Sequence, residues 1–158
     1  MTHIFISYAR VDGADYSLRL YNQLKAEGIA VWRDQHINPE VDFSAEIEEA
    51  IEQSSHVAVI ITPDVKRRDS FVRLEIGYAL ILNKPIIPLV FAGGHRPIQI
   101  INHTYINFAD WVTGYAQLLQ RIKNPAVEQV DPTTQREFEL AYLQEIGQRY
   151  ARWGDLYT

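Results

Sequence analysis

Val57-Ala58-Val59-Ile60-Ile61-Thr62-Pro63-Asp64 is the stretch that decides the fold, five apolar and mostly β-branched residues that break off at a threonine and a proline. A run this short, with no polar face, reads as a strand buried on both sides. A helical pattern follows to about Leu82, Asn83 and Lys84 punctuate a turn, and Pro85 to Phe91 gives another apolar run, closed by Gly93-Gly94. Apolar strands separated by segments of helical length mark a parallel sheet covered by helices on both faces.

The same order extends outward. His3 to Ala9 is a strand, and the polar Arg10-Val11-Asp12-Gly13 reads as its exit loop. From Asp15, residues Leu18, Tyr21, Leu24 and Ala26 recur at helical spacing, with Gly28 as the left-handed stop. Ile29 to Trp32 is a second strand, Arg33 to Asp42 a polar loop holding Pro39, and Phe43, Ile47, Ala50 and Ile51 a helical stripe. Tyr105 to Phe108 is a shorter fifth strand and Trp111 to Ile122 a helix. The class is α/β, and ligands of such sheets favour the crevice beyond the strands' carboxyl ends, here the loops after Ala9, Trp32 and Ile61. Residues 124–132 read as a linker, and 133–158 as a last helix, starting either at Asp131-Pro132 or at a capping box of Thr134 and Glu137. Its stripe of Phe138, Tyr142, Ile146, Tyr150 and Trp153 needs a partner, either this domain or a missing downstream part.

Composition narrows the function. The 158 residues suit one domain with a sizeable core. Without cysteine there is no disulfide framework or thiolate metal site, which fits a reducing compartment, and cytoplasm is the expected location. The start lacks the basic region and apolar run of a signal peptide, and no stretch reaches the roughly 18 apolar residues of a membrane span. A formal net charge of −5 argues against a general nucleic-acid binder. The five histidines have no paired metal-ligand spacing, so no metal site is expected. No G-x-x-x-x-G-K-[ST] or G-x-G-x-x-G pattern occurs, against a nucleoside triphosphatase or a Rossmann dehydrogenase.

One carboxylate stands out. On a helix Glu75 neighbours Phe71, Val72, Tyr78 and Ala79, all apolar or amphipathic. Charge is costly on such a face, and a desolvated carboxyl is a common property of working acids and bases. The competing reading has Glu75 reach past the helix edge to solvent or pair with a cation such as Arg10.

Phe5-Ile6-Ser7-Tyr8-Ala9 with Asp12, then Val31-Trp32-Arg33-Asp34, resembles the first two boxes of TIR (Toll/interleukin receptor) domains. Asp69-Ser70-Phe71-Val72-Arg73-Leu74-Glu75, Tyr78-Ala79-Leu80 and Lys84-Pro85-Ile86-Ile87-Pro88 resemble the glutamate motif and following strand of the bacterial form. The likeness spans about residues 3 to 123, so residues 1–123 are taken as the TIR domain. It implies a flavodoxin-like open parallel five-stranded sheet. The family has two guises, scaffolds that associate with other TIR domains and enzymes that cleave NAD+ to nicotinamide and ADP-ribose or a cyclic isomer.

In the enzymatic guise the resemblance makes Glu75 the essential residue and NAD+ the substrate, with no separate cofactor. Cleavage builds an oxocarbenium-like centre on the ribose, which a carboxylate can stabilise. Trp32 and Phe71 are candidates to stack on a ring of the substrate, although aromatics at element ends also serve the core. Arg10 is a candidate for the pyrophosphate or else a surface arginine. Tyr8 and Ser7 either line the crevice or fix the strand end, and Asp34 either contacts a ribose or caps a turn. The family pattern often has Ser and Trp where this chain has Asp69 and Phe71. Activation by self-association, a downstream sensor domain and a setting in bacterial antiviral defence are further implications. The alternatives are a non-catalytic module for contact between TIR domains and, more remotely, a nucleoside-processing enzyme on a similar sheet.

Overall fold

All six residues of the strand His56–Ile61 are buried, as a strand covered on both faces requires. The computed structural model describes residues 2–33, 45–67, 71–124 and 144. Along them run β1 (His3–Ser7), α1 (Arg10–Ala26), β2 (Ala30–Arg33), α2 (Ala45–Gln53), β3 (His56–Ile61), α3 (Phe71–Ile81), β4 (Ile86–Val90), β5 (Ile106–Asn107) and α4 (Trp111–Lys123). Short 3-10 turns occupy Pro63–Lys66 and Ile98–Ile100. The strands pair in the order β2-β1-β3-β4-β5, every pair parallel. That is the expected flavodoxin-like sheet. The linker and terminal helix expected over 124–132 and 133–158 lie outside the described residues, apart from Asn124 and Gln144.

Two cores follow from the strand alternation. Phe5, Val57, Val59, Ile61 and Ile86 point to one face, under Ile47, Ala50 and Ile51 of α2 and Val72, Ile76 and Ala79 of α3. Ile4, Ile6, Ala58, Ile60, Ile87 and Leu89 point to the other, under Leu20 and Leu24 of α1 and Leu118 and Ile122 of α4. Gly28, at φ +80°, ends α1 with its amide on Lys25 O and that of Ile29 on Leu24 O, the left-handed cap the sequence announces. Lys84 Nζ bonds Glu52 O and Ser54 O at 2.7 and 2.8 Å and ties the turn after α3 to the end of α2.

Pro88 sits inside β4 without breaking the ladder. Val57 N donates to Pro85 O, Phe91 N to Ile61 O, and Phe108 N to Val90 O. Odd-numbered residues of β4 therefore bond β3 and even-numbered ones face β5, which begins only at Ile106. The nitrogen of Pro88, with no hydrogen to give, falls on the side and at the level where no ladder bond is required.

The sequence places the start of α1 too late. Arg10 to Gly13, expected as a loop, is the helix's first turn, and Gly13 N donates to Ala9 O at 2.7 Å. The cause is tertiary. A Cβ on Gly13 would lie 3.3 Å from Tyr8 Cβ and 3.7 Å from Ile60 Cγ2, so the glycine is there to let the helix close down on the sheet.

Candidate active site

The strand order reverses between β1 and β3, and the crevice of such a sheet opens beyond the carboxyl ends of those two strands. β1 ends at Ser7 and only Tyr8 and Ala9 separate it from α1. β3 ends at Ile61, passes through the turn Pro63–Lys66 and leads toward α3, whose first residue is Phe71.

Glu75 lies on the second turn of α3 and is 5% exposed, while Ser7 is 1% exposed. Ser7 Oγ donates to Glu75 Oε1 at 2.8 Å, a buried bond between residues 68 apart. Of the flanks that the sequence names, Val72 and Ala79 are core residues on the α2 and α3 side and Tyr78 packs partly buried against them, whereas Phe71 is exposed. A carboxylate so deep is costly unless hydrogen bonds take the place of water. The Ser7 hydroxyl supplies one.

The carboxyl edge is clamped by a residue that the sequence reading placed only within a motif and a loop. Asp12, in the first turn of α1, accepts the Thr62 hydroxyl on one oxygen and the Asp64 amide at 2.9 Å on the other. It thereby joins the helix after β1 to the turn after β3, across the mouth of the crevice. Its place five residues past Ser7 was the available signal, but its partners, 50 and 52 residues away, were not. Behind this edge Gly94 packs so close to β3 that an added Cβ would stand 2.2 Å from Ile61 O.

The other candidates scatter around this centre. Phe71 opens α3 one turn before Glu75 and is 38% exposed. Arg10 is the exposed first residue of α1. Tyr8 is half-buried, with the Arg33 guanidinium 5.1 Å from its ring centroid. Trp32 lies on β2, its ring stacked on Phe5 at 4.9 Å and 11° and packed against the α2 and α3 core. Asp34 and Asp69 lie outside the described residues. Ahead of α3, Lys66 and Arg67 are exposed, Arg67 standing 3.9 Å from Asp64. Among the described residues no three His, Asp or Glu side chains converge as metal ligands would, and no helix is long and apolar enough to cross a membrane.

The arrangement is a buried, hydrogen-bonded carboxylate at the switch point of a parallel sheet, with an exposed aromatic ring one turn before it and cations along the rim. Comparison with known proteins gives it a family. The family model for the TIR domain matches residues 4–122. No curated protein matches the chain in sequence. Among solved structures, the TIR domain of the Toll-related receptor TRR-2 from Hydra magnipapillata is 23% identical with a TM-score of 0.64, over 77% of this chain and 98% of that one. The TIR domains of the activated Roq1 resistosome are 15% identical with a TM-score of 0.54, over 92% and 83%. The CMP N-glycosidase BcmB of Clostridium botulinum is 18% identical with a TM-score of 0.53, over 75% and 99%. At these identities the likeness is one of fold.

Proposed function

Because the chain belongs to the TIR domain family, we propose that it is an NAD+ nucleosidase that releases nicotinamide and ADP-ribose or a cyclic isomer, with Glu75 as the catalytic carboxylate. The observation that carries this reading is the burial of Glu75 at the carboxyl edge of the sheet, in hydrogen bond with Ser7. The nicotinamide of NAD+ already carries positive charge and leaves as a neutral pyridine, so the leaving group asks for little acid. Positive charge develops instead on the ribose, and a fixed anion in a poorly solvated place stabilises it strongly. Glu75 has that character.

The remaining roles follow from position. Phe71 offers an exposed ring one turn before the carboxylate, suited to stacking on nicotinamide or adenine. Arg10 stands at the rim, where a guanidinium meets a pyrophosphate through paired hydrogen bonds. Tyr8, Trp32, Asp34 and Asp69 complete the proposed substrate contacts. The substrate is the only dinucleotide required and no metal or further cofactor takes part. The reaction is switched on when copies associate, so that a neighbour completes each site, in bacterial immune signalling within the cytoplasm. The matching N-glycosidase is, by its name, a cleaver of the same kind of bond, and its likeness extends to the fold alone.

A second reading, a TIR-TIR contact module without chemistry, is favoured by one observation. Ile98, Ile101 and Tyr105 are exposed close together, the Arg96 guanidinium lying over the Tyr105 ring and bonding Ile101 O. A group of apolar side chains on one surface suits a protein partner. Nicotinamide release from NAD+ at high protein concentration separates the two readings. The nucleosidase releases it, and a concentrated, self-associated protein that releases none is the module.

A further inference from the structure

We infer that Ser7 is a positioning residue for Glu75, its hydroxyl holding the carboxylate in place from the end of β1 without meeting the substrate. The inference rests on the proposed reading of Glu75 and gives Ser7 a different part from the substrate contact that the resemblance suggests.

Three observations support it. First, a serine hydroxyl has a single hydrogen, and that of Ser7 goes to Glu75 Oε1 at 2.8 Å. While the bond stands, Ser7 has no proton to offer a ribose hydroxyl or a phosphate. Second, Ser7 is 1% exposed, so it presents almost no surface to a ligand in the crevice. Third, Ser7 is not on a loop. It is the last residue of β1, a strand held between β2 and β3, and it stands in register with Val59.

The consequence for Glu75 is mechanical and electrostatic together. A glutamate side chain has three rotatable bonds and loses much freedom when one oxygen is fixed. Anchoring Oε1 to a strand paired on both sides limits where the other oxygen can go. A donor that is already aimed at the anion also needs no rearrangement as charge builds on the sugar, the condition under which such stabilisation is worth most. Removing the hydroxyl leaves the carboxylate in the same helix without the anchor that Ser7 gives to Oε1.

A substrate contact and a positioning contact lose different kinetic constants. Loss of a group that binds substrate and transition state alike raises KM and spares kcat, whereas a displaced catalytic group lowers kcat. The test compares wild type with Ser7→Ala and Ser7→Thr as full-length, self-associated protein, following nicotinamide release and thermal unfolding. Expected are folded variants, a fall in kcat of about tenfold to a hundredfold for Ser7→Ala with KM changed less than about twofold, and recovery of most of kcat in Ser7→Thr, which keeps the hydroxyl. Should the alanine variant fail to fold, Ser7→Cys, of similar size and a weaker donor, is expected to show the same split. A raised KM with kcat preserved, an unchanged kcat, or a folded threonine variant no better than alanine overturns the inference. Absence of release from wild type itself is a different result, which removes the reading of Glu75 and this inference with it.

Discussion

Asp12, in the first turn of α1, and Thr62, just past the end of β3, share a hydrogen bond from the Thr62 hydroxyl to the Asp12 carboxylate, and Asp12 takes the Asp64 amide on its second oxygen. Thr62 is buried, so removal of its acceptor leaves a hydroxyl and an amide to be satisfied at a place with little water. Asp12→Ala is expected to cost about 1–3 kcal/mol, measured by urea unfolding. Asp12→Asn is expected to cost less, because its carbonyl oxygen still accepts from the Asp64 amide. Equal stability of the alanine variant and wild type would show that the clamp holds nothing.

Gly94→Ala tests the approach of the loop after β4 to β3. The added methyl would stand 2.2 Å from Ile61 O and 2.7 Å from Ile61 C, both backbone atoms that cannot rotate away. A loss of about 2 kcal/mol or more is expected, seen as a lower Tm. Gly28→Ala makes a useful contrast, since nothing lies within 4 Å of its added Cβ and only its φ of +80° is strained. It is expected to cost about 1 kcal/mol.

Trp32, one of the proposed substrate contacts, already has one of its faces on Phe5. The β1 and β2 register pairs the two residues, a relationship no spacing within either segment reveals. Trp32→Ala is therefore expected to act on stability, by about 3 kcal/mol, and Trp32→Phe by much less. Denaturant midpoints at constant slope check both.

His103 makes the fold sensitive to acid. Its side chain is buried, its Nδ1 has no hydrogen-bond partner, and Arg96 bonds the carbonyl of the same residue. Burial first, then the Arg121 and Arg96 charges, pushes its pKa down from 6.5 to about 4. The folded protein thus binds this proton less readily than the unfolded chain. Stability is full above about pH 6.5, falls as pH drops toward 4 and levels off below, for a total of roughly 3 kcal/mol from this group. His56, lowered by burial and then by Arg121, adds in the same direction. His103→Asn is expected to flatten the pH profile of unfolding free energy between 4 and 6.5, and an unchanged slope would contradict the assignment.

These tests mark the limit of what the sequence discloses. The apolar runs at His3, Val57 and Pro85 announce a parallel sheet because a strand buried on both faces has no polar alternation to hide, and Gly28 announces the end of α1 because only a left-handed residue ends it that way. The beginning of α1 stayed hidden, since Gly13 and the polar Arg10 and Asp12 look like a turn until Tyr8, Ile60 and Thr62 are brought beside them. Glu75 was visible as a charge on an apolar helix. Its bond to Ser7 was not, for a contact across 68 residues leaves no mark in either neighbourhood.

In the proposed reaction it is the Glu75 carboxylate, and not merely its bulk, that stabilises the ribose cation as its bond to nicotinamide breaks. Glu75→Gln keeps the shape and an oxygen that can accept from Ser7 while removing the charge. Nicotinamide released from millimolar NAD+ by concentrated, self-associated protein should fall by at least about a hundredfold in this variant, with Tm close to wild type. Equal rates in the two proteins would rule out Glu75 as the acting group.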